Sequence, residues 1–593
     1  MDSIPKRLLA QAKKYGDTPA LHTKKGDSWE ATSWAQYAQR VRSVAKSLIS
    51  MGFEPGDTTS ILGFNTEDWV VFDLGTMMAG GACAGIYTTC SPTEVQYIVS
   101  HSEAKVVLVR NKMQWDKVDA ERSNLPNVQK VVMMRGGEAV DDDLLLSWDD
   151  FIALGKDVED SKVDERIEAL TEDQVATFIY TSGTTGPPKA VMLSHQNLAW
   201  TASSAVNDLA QLTDQDTTLS YLPLSHIAEQ MFTIHAPITS GCKVYFAESI
   251  PNMPDNLKEV QPTVLFGVPR IWEKFHAKVG AKMSEATGLK KSIADWAFAV
   301  GRDVSAVKNK GGTLGGMLGL KYSIADSLVF SKAKPAMGLG KARICVTGAA
   351  PISREVLEFF TGLDLVIHEV YGQSEDTGPT SFNIIGDTRF GTVGKPLPGT
   401  EVKIAEDGEI LVKGPHVFLG YYKDEAATAE TLKDGWLQTG DLGEFDPDGF
   451  LKITGRKKEI IITAGGKNIA PKNIEAALKD CDLVSQSVVI GDARKFLSAL
   501  ITLSPEDDAT REFANKHGLK LDEMHSSPVV VEYVQKHIDE HVNPQFARVE
   551  HIRKFTILPR DFTIDDNELT PTLKIKRKNV NKNWSAEIEA MYE

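Results

Sequence analysis

The spacing of apolar positions changes several times along the chain. Residues 33–51 (SWAQYAQRVRSVAKSLISM) carry apolar side chains at helical spacing and end at Gly52, which predicts an amphipathic helix. TTSILGF then predicts a strand and WVVFDLGTMMAGG a helix, with short buried strands at 105–109 (KVVLV) and 130–134 (KVVMM). Apolar strands alternating with helices are the pattern of parallel sheets covered on both faces. Residues 136–170 are acidic and predict an irregular surface excursion. VATFIYTS is again strand-like and leads into a Gly-rich loop at 183–189. Residues 271–341, rich in Ala, Lys and Ser around GGTLGGMLGL, predict helices broken by a loop. After position 400 short strands with turns take over, with hairpin signals at Asp407-Gly408 and Asp448-Gly449. Beyond Arg456 a helix at about 471–480, strands near 484–491 and 497–503, and a basic tail predict a smaller α+β unit. No internal repeat is present.

Composition narrows the class. The 593 residues suffice for several folding units, 42% hydrophobic with 25% charged residues is ordinary for a globular protein, and Gly 46 with Pro 26 excludes collagen-like and low-complexity chains. A net charge of -16 argues against a general nucleic-acid binder. Five cysteines (Cys83, Cys90, Cys242, Cys345, Cys481) form no CxxC pair, so neither a disulfide framework nor a structural zinc site is expected. The expected compartment is reducing, the cytoplasm. The start, MDSIPKRLLAQAKKYGD, has no apolar run of leader length, and the end, AEIEAMYE, carries no prenylation or retention signal. No stretch of about 18 apolar residues predicts a membrane span.

The chemistry gathers in a few strings. Tyr180 to Val191 reads YTSGTTGPPKAV. Gly183 and Gly186 let backbone N–H groups approach a ligand; Thr181, Ser182, Thr184 and Thr185 add hydroxyls, and Lys189 adds a cation. This suits polyphosphate oxygens. Lys189 lies between Pro188 and Ala190, so the Walker pattern fails, and a plain Gly/Thr-rich turn is the rival reading. Ser194 and His195, in MLSHQNL, read as capping and packing residues.

VYGQSED (370–376) offers an aromatic face at Tyr371, a close backbone approach at Gly372, a donor at Ser374 and a hard oxygen ligand for Mg²⁺ at Glu375. TGAAP (347–351) has small residues at Gly348, Ala349 and Ala350, which would let a flat group or a chain slide along the backbone. DGWLQTGD places Asp441 after a Thr-Gly turn, able to accept from two hydroxyls. GRKKEIIITAGGKNIAPKNIE (455–475) and LTPTLKIKR (569–577) complete the set.

Together these six strings resemble, in order, the motifs of the acyl-adenylate-forming (AMP-binding) superfamily, over about positions 20–580. YLPLSHIAEQ and LFGVPRIWEKF look like its bubblegum-type long-chain fatty-acyl-CoA synthetases. The resemblance implies an α/β fold: a large N-terminal domain (1–457) of stacked mixed and parallel sheets with helices plus a small β-barrel-like part, and a small mobile α+β domain (458–593). It implies an AMP-forming fatty acid–CoA ligase using ATP, Mg²⁺ and coenzyme A, or a ligase for another acid, or an enzyme loading a separate carrier protein.

Its implied nucleotide contacts are Thr181, Ser182, Gly183, Thr184, Thr185, Gly186, Pro187, Pro188 and Lys189; Gly348, Ala349 and Ala350; Tyr371, Gly372, Gln373, Ser374, Glu375 and Asp376; and Asp441 with Arg456 on ribose. Glu375 and Thr184 would hold the metal, and His226 would line the acyl pocket. Lys574 would bridge carboxylate and α-phosphate. Lys576 is its rival, because four other basic residues lie between 574 and 582; Leu573 stands where many relatives have Gly. Gly465, Gly466 and Lys467 would line the thiol approach, with Lys458 at the hinge. The helices of 271–341 could lie in a membrane interface or form an ordinary soluble cap, and oligomeric state stays open.

Overall fold

The computed structural model describes residues 2–181, 187–465, 467–570 and 574–593. Two large sheets carry the first three-quarters of the chain. In one, the strands Val175–Thr181, Ala82–Ile86, Thr58–Leu62, Val106–Val109, Lys130–Met133 and Leu145–Ser147 run parallel side by side. Lys189–Ser194 and Gly420–Tyr421 extend that sheet antiparallel. In the other, Ile367–Tyr371, Ile344–Thr347, Val264–Gly267, Thr217–Ser220, Lys243–Phe246 and Pro19–Lys25 are parallel, with antiparallel edges at both ends.

The helix Glu67–Met78 lies in one core with Ile61, Cys83 and Ile179 of the first sheet and Val244 and Phe246 of the second. Every residue of that helix is buried, so its apolar residues are spread round it rather than gathered in one stripe, and Glu67, Asp68 and Asp73 are buried with them. The helix Trp34–Ser50, by contrast, is amphipathic and opens on a capping box between Ser33 and Gln36. All five cysteines are buried and unpaired.

The acidic stretch 136–170 departs from expectation. It holds the strand Leu145–Ser147 and the helices Trp148–Leu154 and Asp160–Ala169, anchored by buried Trp148, Phe151, Val163 and Ile167. Four anchors on short helices are enough to hold them, while the acidic residues between face water. The segment 271–341 is helical as expected, as Pro269–Ser284, Gly288–Lys308 and Gly316–Ala325, followed by a wide turn and Ser331–Ala336.

A five-stranded antiparallel sheet follows, built from Glu401–Ile404, Glu409–Lys413, Leu432–Lys433, Trp436–Phe445 and Leu451–Arg456. One 3-10 turn, Lys457–Glu459, leads out of it. Beyond lies a separate core, with the sheet Gln486–Ile490, Leu497–Thr502 and Ile552–Ile557 packed on the helices Pro471–Lys479 and Pro528–His537. This small unit touches the large one where Arg270 pairs with Asp507 at 2.7 Å. It touches again where Asp480 bonds to Ser353 near Glu355 and Glu273; burial and those two acids lift the Asp480 carboxyl to about 7.

Asp73 sits at the centre of the buried helix with neither carboxylate oxygen bonded, and burial raises it to about 8. The folded protein therefore holds a proton that the unfolded chain sheds near pH 4. Stability is fully present below that value and falls as pH rises toward 8, by up to about 1.4 kcal/mol per unit. Asp73→Asn should flatten the decline in thermal midpoint between pH 5 and 8. An unchanged slope would remove Asp73 as its source.

Candidate functional site

In parallel sheets the crevice beyond the carboxyl ends of the strands is where ligands bind. Two candidate strings lie there. TGAAP leaves the end of Ile344–Thr347, and YGQSE begins at the end of Ile367–Tyr371, its hydrogen-bonded neighbour. Ala349 and Ala350 are exposed, and Ala349 takes a left-handed φ of 70°, a strained state for a residue with a Cβ. Gly348 and Gly372 answer to the fold itself. A Cβ on Gly348 would sit 2.6 Å from the Val370 side chain, and one on Gly372 1.6 Å from the Gly378 carbonyl oxygen.

Glu375 accepts a hydrogen bond from the Tyr421 hydroxyl at 2.7 Å through Oε1. Its carbonyl accepts from the Phe418 N–H at 2.9 Å. Burial, then Glu375, raises the Tyr421 phenol above its ordinary value, so it remains a donor. The Lys189 ammonium lies 4.9 Å over the Tyr421 ring and 3.4 Å from Asp424. Lys189 and Thr181 are paired across the hairpin of Val175–Thr181 and Lys189–Ser194. They form the feet of the loop that carries the Gly/Thr string. The string is followed by the strand Lys189–Ser194 and not by a helix, a second difference from a Walker motif. Pro187 is exposed, and the Pro188 carbonyl accepts from Tyr97 at 3.2 Å. Ser182, Gly183, Thr184, Thr185, Gly186 and Gly466 lie outside the described residues.

Asp441 faces Arg456 directly in the ladder between Trp436–Phe445 and Leu451–Arg456. Its Oδ1 is 3.2 Å from Arg456 Nε, and its Oδ2 accepts from the Tyr371 hydroxyl at 2.9 Å. Burial raises the Asp441 carboxyl, with Arg456 and then Tyr371 opposing that shift. Burial lowers Arg456, but Asp441, Glu459 and Glu375 outweigh it and hold the guanidinium above its usual value. Carboxylate, guanidinium and phenol thus share one network against the strand end.

Not every residue of VYGQSED faces the crevice. The Asp376 side chain is fully buried; it accepts from the Gln373 N–H at 2.7 Å and from the Thr380 hydroxyl. Both carboxylate oxygens hold the turn. Ser374 is also buried, on the 3-10 turn Ser374–Asp376.

The small unit contributes Lys574. The residue keeps contact with water, and crowding by the surrounding protein, then Arg456 and Lys472, lower its pKa while Glu375 and Asp441 oppose them. Its charge also reaches His226, whose imidazole is lowered to about 4 by burial first and Lys574 second. His226 Nδ1 accepts from the Ala228 N–H at 3.1 Å, so the neutral ring carries its proton on Nε2. Lys576 instead donates to Asn567 within the small unit at 2.5 Å. Gly465 and Lys467 are exposed on the turn of the hairpin Ile461–Ile462 and Asn468–Ile469. Among the described residues no hydrogen bond or ion pair ties them to Glu375, Asp441 or Arg456. Lys458 is exposed on the connecting 3-10 turn.

For a metal, the donors are sparse. No cluster of three His, Cys, Asp or Glu side chains suited to a metal occurs among the described residues. Glu375 Oε2 carries no hydrogen bond among the described residues and is the hard oxygen available. A single carboxylate fits Mg²⁺ delivered with ligand phosphates, because that ion keeps most of its shell from water and phosphate.

Sequence reasoning missed Tyr421 and Asp424. They lie 46 and 49 residues beyond Glu375 in no recognised string, and only sheet pairing brings them in.

The comparisons with known proteins agree with this geometry. The family model described as AMP-binding enzyme matches residues 8–422, and the AMP-binding enzyme C-terminal domain matches 458–593. A long-chain-fatty-acid–CoA ligase, ACSBG2, from Xenopus laevis is 39% identical, over 98% of this chain and 82% of its own. ACSBG2 from Homo sapiens is 37% identical over 100% and 92%, and FadD15, a long-chain-fatty-acid–CoA ligase of Mycobacterium bovis, 37% over 95% and 92%. Among solved structures, the A-PCP didomain of a carboxylic acid reductase from Segniliparus rugosus with AMP has a TM-score of 0.75 at 21% identity, over 100% of this chain and 82% of its own. The o-succinylbenzoate coenzyme A synthetase of Bacillus subtilis with ATP and magnesium ion has 0.67 at 21%, over 96% and 98%. With both family models matched and relatives aligned along nearly its full length, the chain belongs to the AMP-binding enzyme family.

Proposed function

We propose that the chain is an ATP-dependent long-chain fatty acid–CoA ligase, AMP-forming, that works through an acyl-adenylate. The observation that carries this reading is Lys574 of the small unit lying within electrostatic reach of Glu375, Asp441 and Arg456 of the large one. That arrangement suits a bond formed between a carboxylate and a phosphate, both anionic. The relatives at 36–39% identity that are named long-chain-fatty-acid–CoA ligases support the choice of acid and thiol.

In the first half-reaction the fatty carboxylate attacks the α-phosphorus of ATP and pyrophosphate leaves. The protein contributes positioning and charge stabilisation. Lys574 bridges carboxylate and α-phosphate. Asp441 accepts from the ribose hydroxyls, with Arg456 beside it; Tyr371 offers its ring to adenine and orients Asp441. The TGAAP turn borders adenine and acyl group, and His226 lines the acyl side. Lys189 and the loop above it hold the β- and γ-phosphates. Mg²⁺ on Glu375, with Thr184, would neutralise phosphate charge. In the second half the thiol of coenzyme A attacks the acyl carbonyl and AMP leaves. Rotation about Lys458 replaces Lys574 with Gly465, Gly466 and Lys467, because both sets of contacts serve one site. A hinge needs few residues, and one exposed 3-10 turn supplies them.

Pyrophosphate release with acids of graded chain length, with and without coenzyme A, should be highest for long-chain acids, with acyl-CoA formed only when the thiol is present. No activity on any fatty acid would overturn the reading. Lys574→Ala should lower acyl-AMP formation by about 10²–10³-fold and spare thioester formation from supplied acyl-AMP. Equal loss in both halves would remove the division of labour. Asp441→Ala should raise the KM for ATP by roughly tenfold or more, the worth of charged hydrogen bonds lost; an unchanged ATP dependence would take it out of the ribose site.

A further inference from the structure

The helical layer of 288–336 has two apolar sides. Inward, Leu318, Tyr322, Ala325, Val329 and Phe330 pack on Ala297, Val300 and Val304 of the helix Gly288–Lys308. Outward, Met317, Leu320, Ile324 and Leu328 stand 68%, 58%, 45% and 46% exposed. Their spacing of three, four and four residues keeps them on one face of the helix Gly316–Ala325 and the wide turn after it. An exposed apolar stripe of this kind is normally covered, and this face has no partner among the described residues.

Charge says what covers it. Residues 288–343 hold ten Lys or Arg against three Asp or Glu, a net +7 inside a chain of -16. Lys308 and Lys334 are neutralised by Asp364, and Arg343 by Asp216. Lys290, Arg302, Lys310, Lys321, Lys332 and Lys341 have no ion pair among the described residues. Lys321 and Lys332 fall beside the stripe at helical spacing and are exposed. A second copy of this face would meet it with like charge. An anionic lipid surface meets both features at once, taking the apolar stripe among its chains and the lysines among its headgroups. Among the described residues no helix is long and apolar enough to cross a membrane, so the contact lies in the plane of the interface.

We propose that the face of Met317, Leu320, Ile324 and Leu328, rimmed by Lys321 and Lys332, docks the enzyme on an anionic bilayer. The helix beneath it reaches the site side through Phe298, which packs on Phe359 of the helix Arg354–Thr361, just after the TGAAP turn. Docking there would shorten the path of an acid that partitions into lipid. That purpose rests on the long-chain reading, but the docking test contains no substrate, so the two fail separately.

Flotation of the full chain with phosphatidylcholine vesicles, with and without phosphatidylserine, tests it. The protein should float with the phosphatidylserine vesicles and release as salt is raised. Replacing Met317, Leu320, Ile324 and Leu328 together by Ser should weaken binding by about tenfold or more, and Lys321→Glu with Lys332→Glu should do likewise. Pyrophosphate release with a water-soluble acid should be unchanged in both variants, which shows that they fold. Wild-type protein that stays unbound, or variants that float as well as wild type, would overturn the proposal. So would a wild-type dimer that the serine variant dissociates.

Discussion

The Asp441–Arg456 pair holds three parts of the molecule in one register. Asp441 and Arg456 oppose each other in the five-stranded sheet, and Tyr371 ties Asp441 to the end of a strand in the nine-stranded sheet. Arg456 is also the last residue of its strand before the connecting turn to the small unit. The pair therefore fixes where the large unit ends and where Lys574 can arrive. A carboxylate raised by burial would be a poor acceptor alone; the guanidinium keeps its charge available.

The same economy explains how an acidic chain hosts anionic ligands. Lys189, Arg456 and Lys574 are brought to one crevice from positions spread over 385 residues. Each is set against a carboxylate or an aromatic ring, so the crevice is not a bare cluster of like charge. The bulk of the -16 charge lies elsewhere on the surface, and net charge describes solubility better than it describes the site.

Much of this was legible in the chain. Long apolar runs and clean helical periods marked strands of the first large sheet and the helices beside them, but not the strands of the second; the string at 371–375 begins at a strand end, and Arg456 closes its strand. What escaped has physical causes. The helices at 148–169 are short, and their acids outnumber the four buried anchors that hold them. Tyr421 reaches Glu375 only because Gly420–Tyr421 joins the sheet edge beside Lys189–Ser194, a pairing that local pattern does not encode. Asp376 reads as a site acid from its string alone, and only its two bonds within the turn show a structural role.

The seam at Asp480 carries a different consequence. There a carboxyl of the small unit bonds to Ser353 close to Glu355 and Glu273 of the large one, and its affinity for a proton rises toward neutrality. Any parting of the two units returns that carboxyl to water and to its ordinary strength as an acid. Mild acidification therefore strengthens this contact between the two units.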